Sequence, residues 1–164
     1  KLEELNQMRR ELTIRCCEEA VEKVQKGKIP PAVVAASPDW HAGILGLVAS
    51  KIVETFNRPA FIFQDRGDFL TASVRSPAHC NVMDMLKEAA GLMLTFGGHA
   101  QAAGLSISKE KFPEFEEKIL EIASRFAQQE DESPVDIDSE ILPEELTMEN
   151  IDLIEKLQPF WRSN

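Results

Sequence analysis

The chain has 164 residues, 43% of them hydrophobic and 28% charged, with 18 Lys+Arg against 28 Asp+Glu and a net charge of −10. That size and composition fit one good core with a small appendage, and no apolar run approaches the ~18 residues a membrane-spanning helix needs. The charge excludes a surface that is basic throughout: residues 1–108 balance 12 basic against 12 acidic residues and residues 109–164 carry 6 against 16, so any grip on nucleic acid is local or completed by basic surface elsewhere.

Residues 1–26 predict one amphipathic helix, because Leu2, Leu5, Met8, Leu12, Cys16, Ala20 and Val24 recur at spacings of three or four and Gly27 stands where a helix stops. The start carries no helix cap and no signal-peptide pattern, and Lys1 in first position reads as a cut fragment. Cys16, Cys17 and Cys80 make an odd count without a CxxC, the usage of a reduced cytoplasmic protein. Pro30-Pro31 breaks the chain before a buried strand over Ala32 to Ala36. A helix with a broad apolar arc (Ile44, Leu45, Val48, Ile52, Val53, Phe56) follows over 43–56 and ends at Asn57-Arg58-Pro59. Ala60 to Phe63 and Phe69 to Arg75 read as strands joined by an Asp65-Arg66-Gly67-Asp68 turn.

Val82 to Thr95 predicts a Met- and Leu-rich helix, and Leu105 to Ile107 a strand. Phe112, Phe115, Ile119, Ile122 and Phe126 mark one face of a further helix, with Pro113 near its start. Residues 128–134 form a polar, acidic linker, and Leu146 to Leu157 a second small helix. The alternation of elements predicts an α/β fold with a mixed sheet flanked by helices.

Three groups of residues carry candidate chemistry. In residues 97–107, Gly97-Gly98-His99 precedes a small-residue run ending at Gly104. Adjacent glycines let backbone N–H groups approach a bound group, successive N–H groups form an anion nest, and a helix starting there adds its positive end. His99 at the mouth can donate a hydrogen bond or a proton. A phosphate-binding turn and a plain glycine turn with a structural histidine both satisfy these residues.

In the second group, Ser73 and Arg75 of Ser73-Val74-Arg75-Ser76 point to one face of a strand. A hydroxyl beside a guanidinium fork suits a phosphate, and a solvated surface arginine is the plainer alternative. In the third, Trp40 and His41 stand before a helix. Trp40 either stacks a base or fills the core, and His41 either faces a ligand or caps the helix. No cluster of Asp and His has the spacing of a metal centre, and His79 and Cys80 match no ligand pattern.

Gly97-Gly98-His99-Ala100-Gln101-Ala102-Ala103-Gly104 resembles the GGHxxAAG signature of the DHH-associated domain, the smaller domain of DHH-family phosphoesterases. Within that family the chain most resembles the RecJ group of single-stranded-DNA exonucleases. The further matches are Leu5-Asn6 through Arg9-Arg10, Trp40 through Lys51 (WHxGxxGxVASxx), Ser73 through Ser76 (SxRS) and Leu157-Gln158-Pro159-Phe160 (LxPF). The chain departs from the pattern at Phe96, and at Trp161 and Ser163, where the group carries glycines.

The resemblance implies a linker helix over 1–28, a DHH-associated substrate-binding domain over 29–129, and over 130–164 a linker and the opening of a third, OB-type domain. It assigns His99 to the scissile phosphate. On the same resemblance Ser73, Arg75 and Ser76 would hold the terminal phosphate, while Gly97, Gly98 and Gly104 would give backbone approach. It implies single-stranded DNA as partner, together with the DHH domain of the same polypeptide, and no membrane. A divalent metal, Mn or Mg, would be bound by that missing domain and none by this chain, so the fragment alone would be inactive. Two alternatives stay open: a DHH phosphodiesterase acting on short oligonucleotides or cyclic dinucleotides, and a noncatalytic interaction domain using the acidic segment after residue 108.

Overall fold

The structure is a computed structural model that describes residues 2–25, 29–127, 140 and 142–156. It divides into two compact units, residues 1–131 and 132–164. The first runs α1 (Leu2–Gln25), β1 (Val33–Ser37), α2 (Ala42–Phe56), β2 (Ala60–Asp65), β3 (Phe69–Arg75), α3 (Val82–Glu88), β4 (Thr95–His99), β5 (Ala102–Ser108) and α4 (Phe112–Ala127). The second holds a 3-10 turn (Pro143–Glu145) and α5 (Met148–Glu155), capped by the Thr147 hydroxyl, which accepts from the Asn150 amide at 3.2 Å.

Five strands form one sheet in the order β1-β2-β3-β5-β4. β1 and β2 are parallel and joined through α2, and every other pairing is antiparallel. A parallel pair needs a crossover, which the apolar helix between the Pro31 break and Asn57 supplies. Asn57 closes α2 in the left-handed conformation (φ 50°), its amide returning to the Val53 carbonyl. In the β2–β3 hairpin Gly67 takes φ 90°, and the Asp65 carboxylate accepts its N–H at 2.8 Å.

Strand alternation sorts side chains to two faces. Phe61, Phe63, Leu70, Val74, Leu105 and Ile107 face α3 and α4, where Met85, Leu86, Phe115, Ile119 and Ile122 are buried. Phe63 meets Phe112 edge-on at 5.1 Å and Phe61 meets Phe115 at 6.0 Å. Each such buried side chain contributes about 1.5–3 kcal/mol. On the opposite face Val33, Ala35, Ala60 and Ile62 pack under Ile44, Leu45, Val48 and Ile52 of α2, with Cys16 and Ala20 of α1 and Trp40 beside them. Within that second layer α2 lies over β2 and β3, with α1 beside α2 and β1.

The expected α/β class and mixed sheet are present, with two differences. The helix expected over Val82 to Thr95 stops at Glu88, a 3-10 turn follows at Ala90–Leu92, and Thr95–His99 is a strand. Glycine disfavours strands locally, so β4 owes its state to pairing with β5 rather than to propensity. For the same reason Gly97-Gly98-His99 is neither a nest nor a helix start: it is the end of an edge strand leading into a two-residue hairpin turn, Ala100-Gln101. The LxPF segment lies outside the described residues, and so does most of the expected opening of an OB-type domain.

Candidate functional site

The pairing register brings three rows of residues to the sheet face shared with α2. Arg75 pairs with Ala102, which pairs with His99. Ser73 pairs with Gly104, which pairs with Gly97, and Thr71 pairs with Ser106, which pairs with Thr95. Successive rows are two residues, or about 6.8 Å, apart along the strands, and Arg75 and His99 stand two strand spacings, about 10 Å, apart with only the Ala102 methyl between them. Three strands, β3, β5 and β4, thus meet on one surface.

The glycines divide by what surrounds them. Gly98 has φ 153°, and a Cβ there would fall 2.3 Å from the Ala102 carbonyl oxygen and 2.5 Å from Ala103 Cα. The fold itself therefore demands glycine at 98. A Cβ on Gly97 would meet nothing within 4 Å, and one on Gly104 only the Ala72 oxygen at 3.6 Å. Neither position is forced by the chain's own packing, and together they leave a bare floor beside Ser73, Arg75 and His99.

Arg75 is half-buried, and its guanidinium donates to the Val74 carbonyl at 2.8 Å. Among the described residues no carboxylate pairs with it. A partly desolvated cation is stabilised by an anion, so this guanidinium, with its remaining N–H groups, is a ready anion partner. Gly46 stands in the motif from Trp40 through Lys51, where sequence reasoning gave it no role of its own; its Cβ position lies 3.0 Å from the Arg75 Nη2 atom and 4.0 Å from the Ser73 hydroxyl. The available signal was a glycine inside an otherwise apolar helix, a position that usually has a packing reason.

Ser76 has another task. Its hydroxyl is buried and lies within hydrogen-bond distance of the Cys80 carbonyl (2.6 Å) and the Ala100 carbonyl (3.2 Å), and its amide donates to the Gln101 carbonyl at 3.1 Å. With the Val82 amide on the Ala100 carbonyl (2.8 Å), these bonds tie the end of β3 to the hairpin that carries His99. The buried Ser76 hydroxyl is thus engaged in tying the site's two halves together.

Trp40 is 1% exposed, and its indole N–H donates to Glu19 of α1 at 2.8 Å. A buried ring presents no face to a base, so the stacking expectation gives way to a core role. His41 is exposed and caps α2, its Nδ1 accepting from the Gly43 amide at 3.2 Å. No disulfide joins Cys16, Cys17 and Cys80. Burial, ahead of nearby charges, raises the Cys16 and Cys17 pKa values above the ordinary thiol range.

Among the described residues no group of three or more His, Cys, Asp or Glu is arranged to hold a metal ion, and no helix is long and apolar enough to cross a membrane.

The DHHA1 domain model matches residues 30–125. The single-stranded-DNA-specific exonuclease RecJ of Bacillus subtilis is 33% identical over 169 residues, covering 100% of this chain and 21% of its own length. Escherichia coli RecJ is 34% identical, covering 98% of the chain and 30% of itself. The crystal structure of Thermus thermophilus RecJ in complex with Mn2+ superposes with a TM-score of 0.75 at 29% identity, over 99% of this chain and 24% of that one. The chain thus spans less than a third of the curated relatives it matches.

Proposed function

The chain belongs to the DHHA1 domain family, and on that premise we propose that it is the substrate-binding part of a RecJ-like exonuclease. In this reading Arg75 and Ser73 hold the 5′-terminal phosphate of single-stranded DNA. His99 donates to the scissile phosphate and stabilises the charge that develops there, and the bare floor at Gly97 and Gly104 admits the strand backbone. The observation that carries the reading is the half-buried Arg75 guanidinium, without a carboxylate partner among the described residues, beside a glycine floor that packing does not require.

Hydrolysis of a phosphodiester by this reading needs groups outside the described residues. The relatives solved with Mg2+ or Mn2+ support the use of a divalent ion, which on this reading a DHH domain of the same polypeptide would hold. What this chain's residues do is bind, orient and donate: Arg75 offers a planar fork to two phosphate oxygens, and His99 a hydrogen bond at the developing oxyanion. The full protein acts in the cytoplasm on this reading, and this chain alone does not turn over substrate.

The test is hydrolysis of a 5′-phosphorylated single strand by the full-length protein. Arg75→Ala and His99→Ala each lower kcat/KM by about 10²-fold or more while the thermal midpoint stays near that of the unsubstituted protein. Rates equal to the unsubstituted protein would overturn the assignment. A preference for dinucleotides over long strands would instead move the substrate to the short oligonucleotides cleaved elsewhere in the family.

A further inference from the structure

Glycine in a helix interior is destabilising relative to alanine, so Gly46 in the second turn of α2 needs a reason. Its neighbours supply one. The missing Cβ would sit 3.0 Å from Nη2 and 3.7 Å from Cζ of Arg75, on the line between α2 and β3. The guanidinium is anchored on its other side by the Val74 carbonyl at 2.8 Å. It therefore lies in a slot with a β-strand carbonyl on one side and a helix without a side chain on the other.

We infer that Gly46 is a positioning residue, whose absent side chain seats the Arg75 guanidinium for phosphate recognition; this rests on the reading of Arg75 as the terminal-phosphate ligand. An alanine methyl does not break the fold, because the atom it meets is the end of a long side chain that can move. It swings the planar fork out of line instead. Bidentate recognition is directional, so a displacement of a few tenths of an ångström at the root of the fork is felt at both N–H groups. Gly43, one turn earlier, is the natural control, since its Cβ position meets only the His41 ring, at an ordinary 3.5 Å.

The experiment compares binding of a 3′-labelled single strand with and without a 5′ phosphate to the full-length protein, by anisotropy, with EDTA present to keep the strand intact. Gly46→Ala is expected to reduce the preference for the 5′-phosphorylated strand about five- to tenfold, while the thermal midpoint holds or rises by about 2–4 °C from the gain in helix propensity. Gly43→Ala leaves the preference unchanged. In an Arg75→Lys background, where a slimmer ammonium leaves room for the methyl, Gly46→Ala adds little further loss, so the two changes couple. Full additivity, an unchanged preference, or a fall in thermal midpoint with both strand forms weakened alike would overturn the inference. If Arg75→Ala itself left the preference intact, the reading of the phosphate ligand would fail; if Arg75→Ala abolished it while Gly46→Ala did nothing, only the role of Gly46 would fail.

Discussion

Gly98→Ala separates the glycine that the fold needs from those that its packing does not require. The new Cβ would fall 2.3 Å from the Ala102 oxygen and 2.5 Å from Ala103 Cα, both backbone atoms of the paired strand. Real Cβ contacts rarely come under about 3 Å, so β4 must move from β5 by about 0.7 Å or rotate, and either breaks ladder bonds on one strand with no partner on its other side. The φ of 153° adds strain for any side chain. Overpacking and backbone strain together are expected to cost about 2–4 kcal/mol, which lowers the melting midpoint by roughly 5–15 °C. Gly97→Ala places its methyl in open space and Gly104→Ala meets only the Ala72 oxygen at an ordinary 3.6 Å, and both are expected to melt within about 2 °C of the unsubstituted chain. The assay is thermal melting followed by circular dichroism, with strand binding measured on the same samples. The 97 and 104 variants lose binding without losing stability. A Gly98→Ala chain that melts with the others refutes the packing argument, and Gly97→Ala or Gly104→Ala chains that bind normally refute the open floor.

Trp40→Phe removes the donor to the part-buried Glu19 carboxylate and is expected to destabilise by about 1.5–3 kcal/mol with no change in single-strand affinity; weakened binding at unchanged stability would restore the base-stacking role. Ser76→Ala leaves the Cys80 and Ala100 carbonyls without their hydroxyl partner. A loss of about 1–2 kcal/mol, together with a slower full-length enzyme, is the expected result, and an unchanged melting curve would contradict it. Asp65 is held below the ordinary carboxylate range first by its hydrogen bond to Lys109 and then by the Gly67 amide. Its contribution to stability is thus present above the unfolded pKa and lost as pH falls through the lowered folded value. Asp65→Asn should flatten the acid limb of the melting profile below about pH 4, and an acid limb identical to that of the unsubstituted chain would count against the linkage. Glu116 has the opposite sign: burial raises its pKa, the folded state favours the protonated form, and Glu116→Gln should raise the melting midpoint at neutral pH, with a lower midpoint as the refuting result.

Local pattern was enough for much of this molecule. The 3,4,3,4 spacing of Phe112, Phe115, Ile119, Ile122 and Phe126 fixed the buried face of α4, because helix geometry leaves few places for such a row to go. Apolar runs bounded by Pro31, Asn57 and Gly67 located β1, α2 and the β2–β3 hairpin for the same reason: the breakers act through their own φ preferences, independent of distant contacts. The alternation Ser73-Val74-Arg75 was enough to put Ser73 and Arg75 on one face. The GGHxxAAG resemblance named His99, and the DHHA1 match covers the same stretch. What the tertiary structure decided is everything that depends on register and pairing. β4 is a strand because β5 lies beside it, a non-local contact that overrides the poor strand propensity of two glycines. Ser76 looked like a ligand in its motif and is a tie, because the loop carrying Cys80 and the turn at Ala100 converge on its hydroxyl. Gly98 and Gly97 are neighbours in sequence with opposite reasons for being glycine, and only the distance to the next strand tells them apart. Gly46 is separated from Arg75 by 29 positions in the chain and by one methyl group in space.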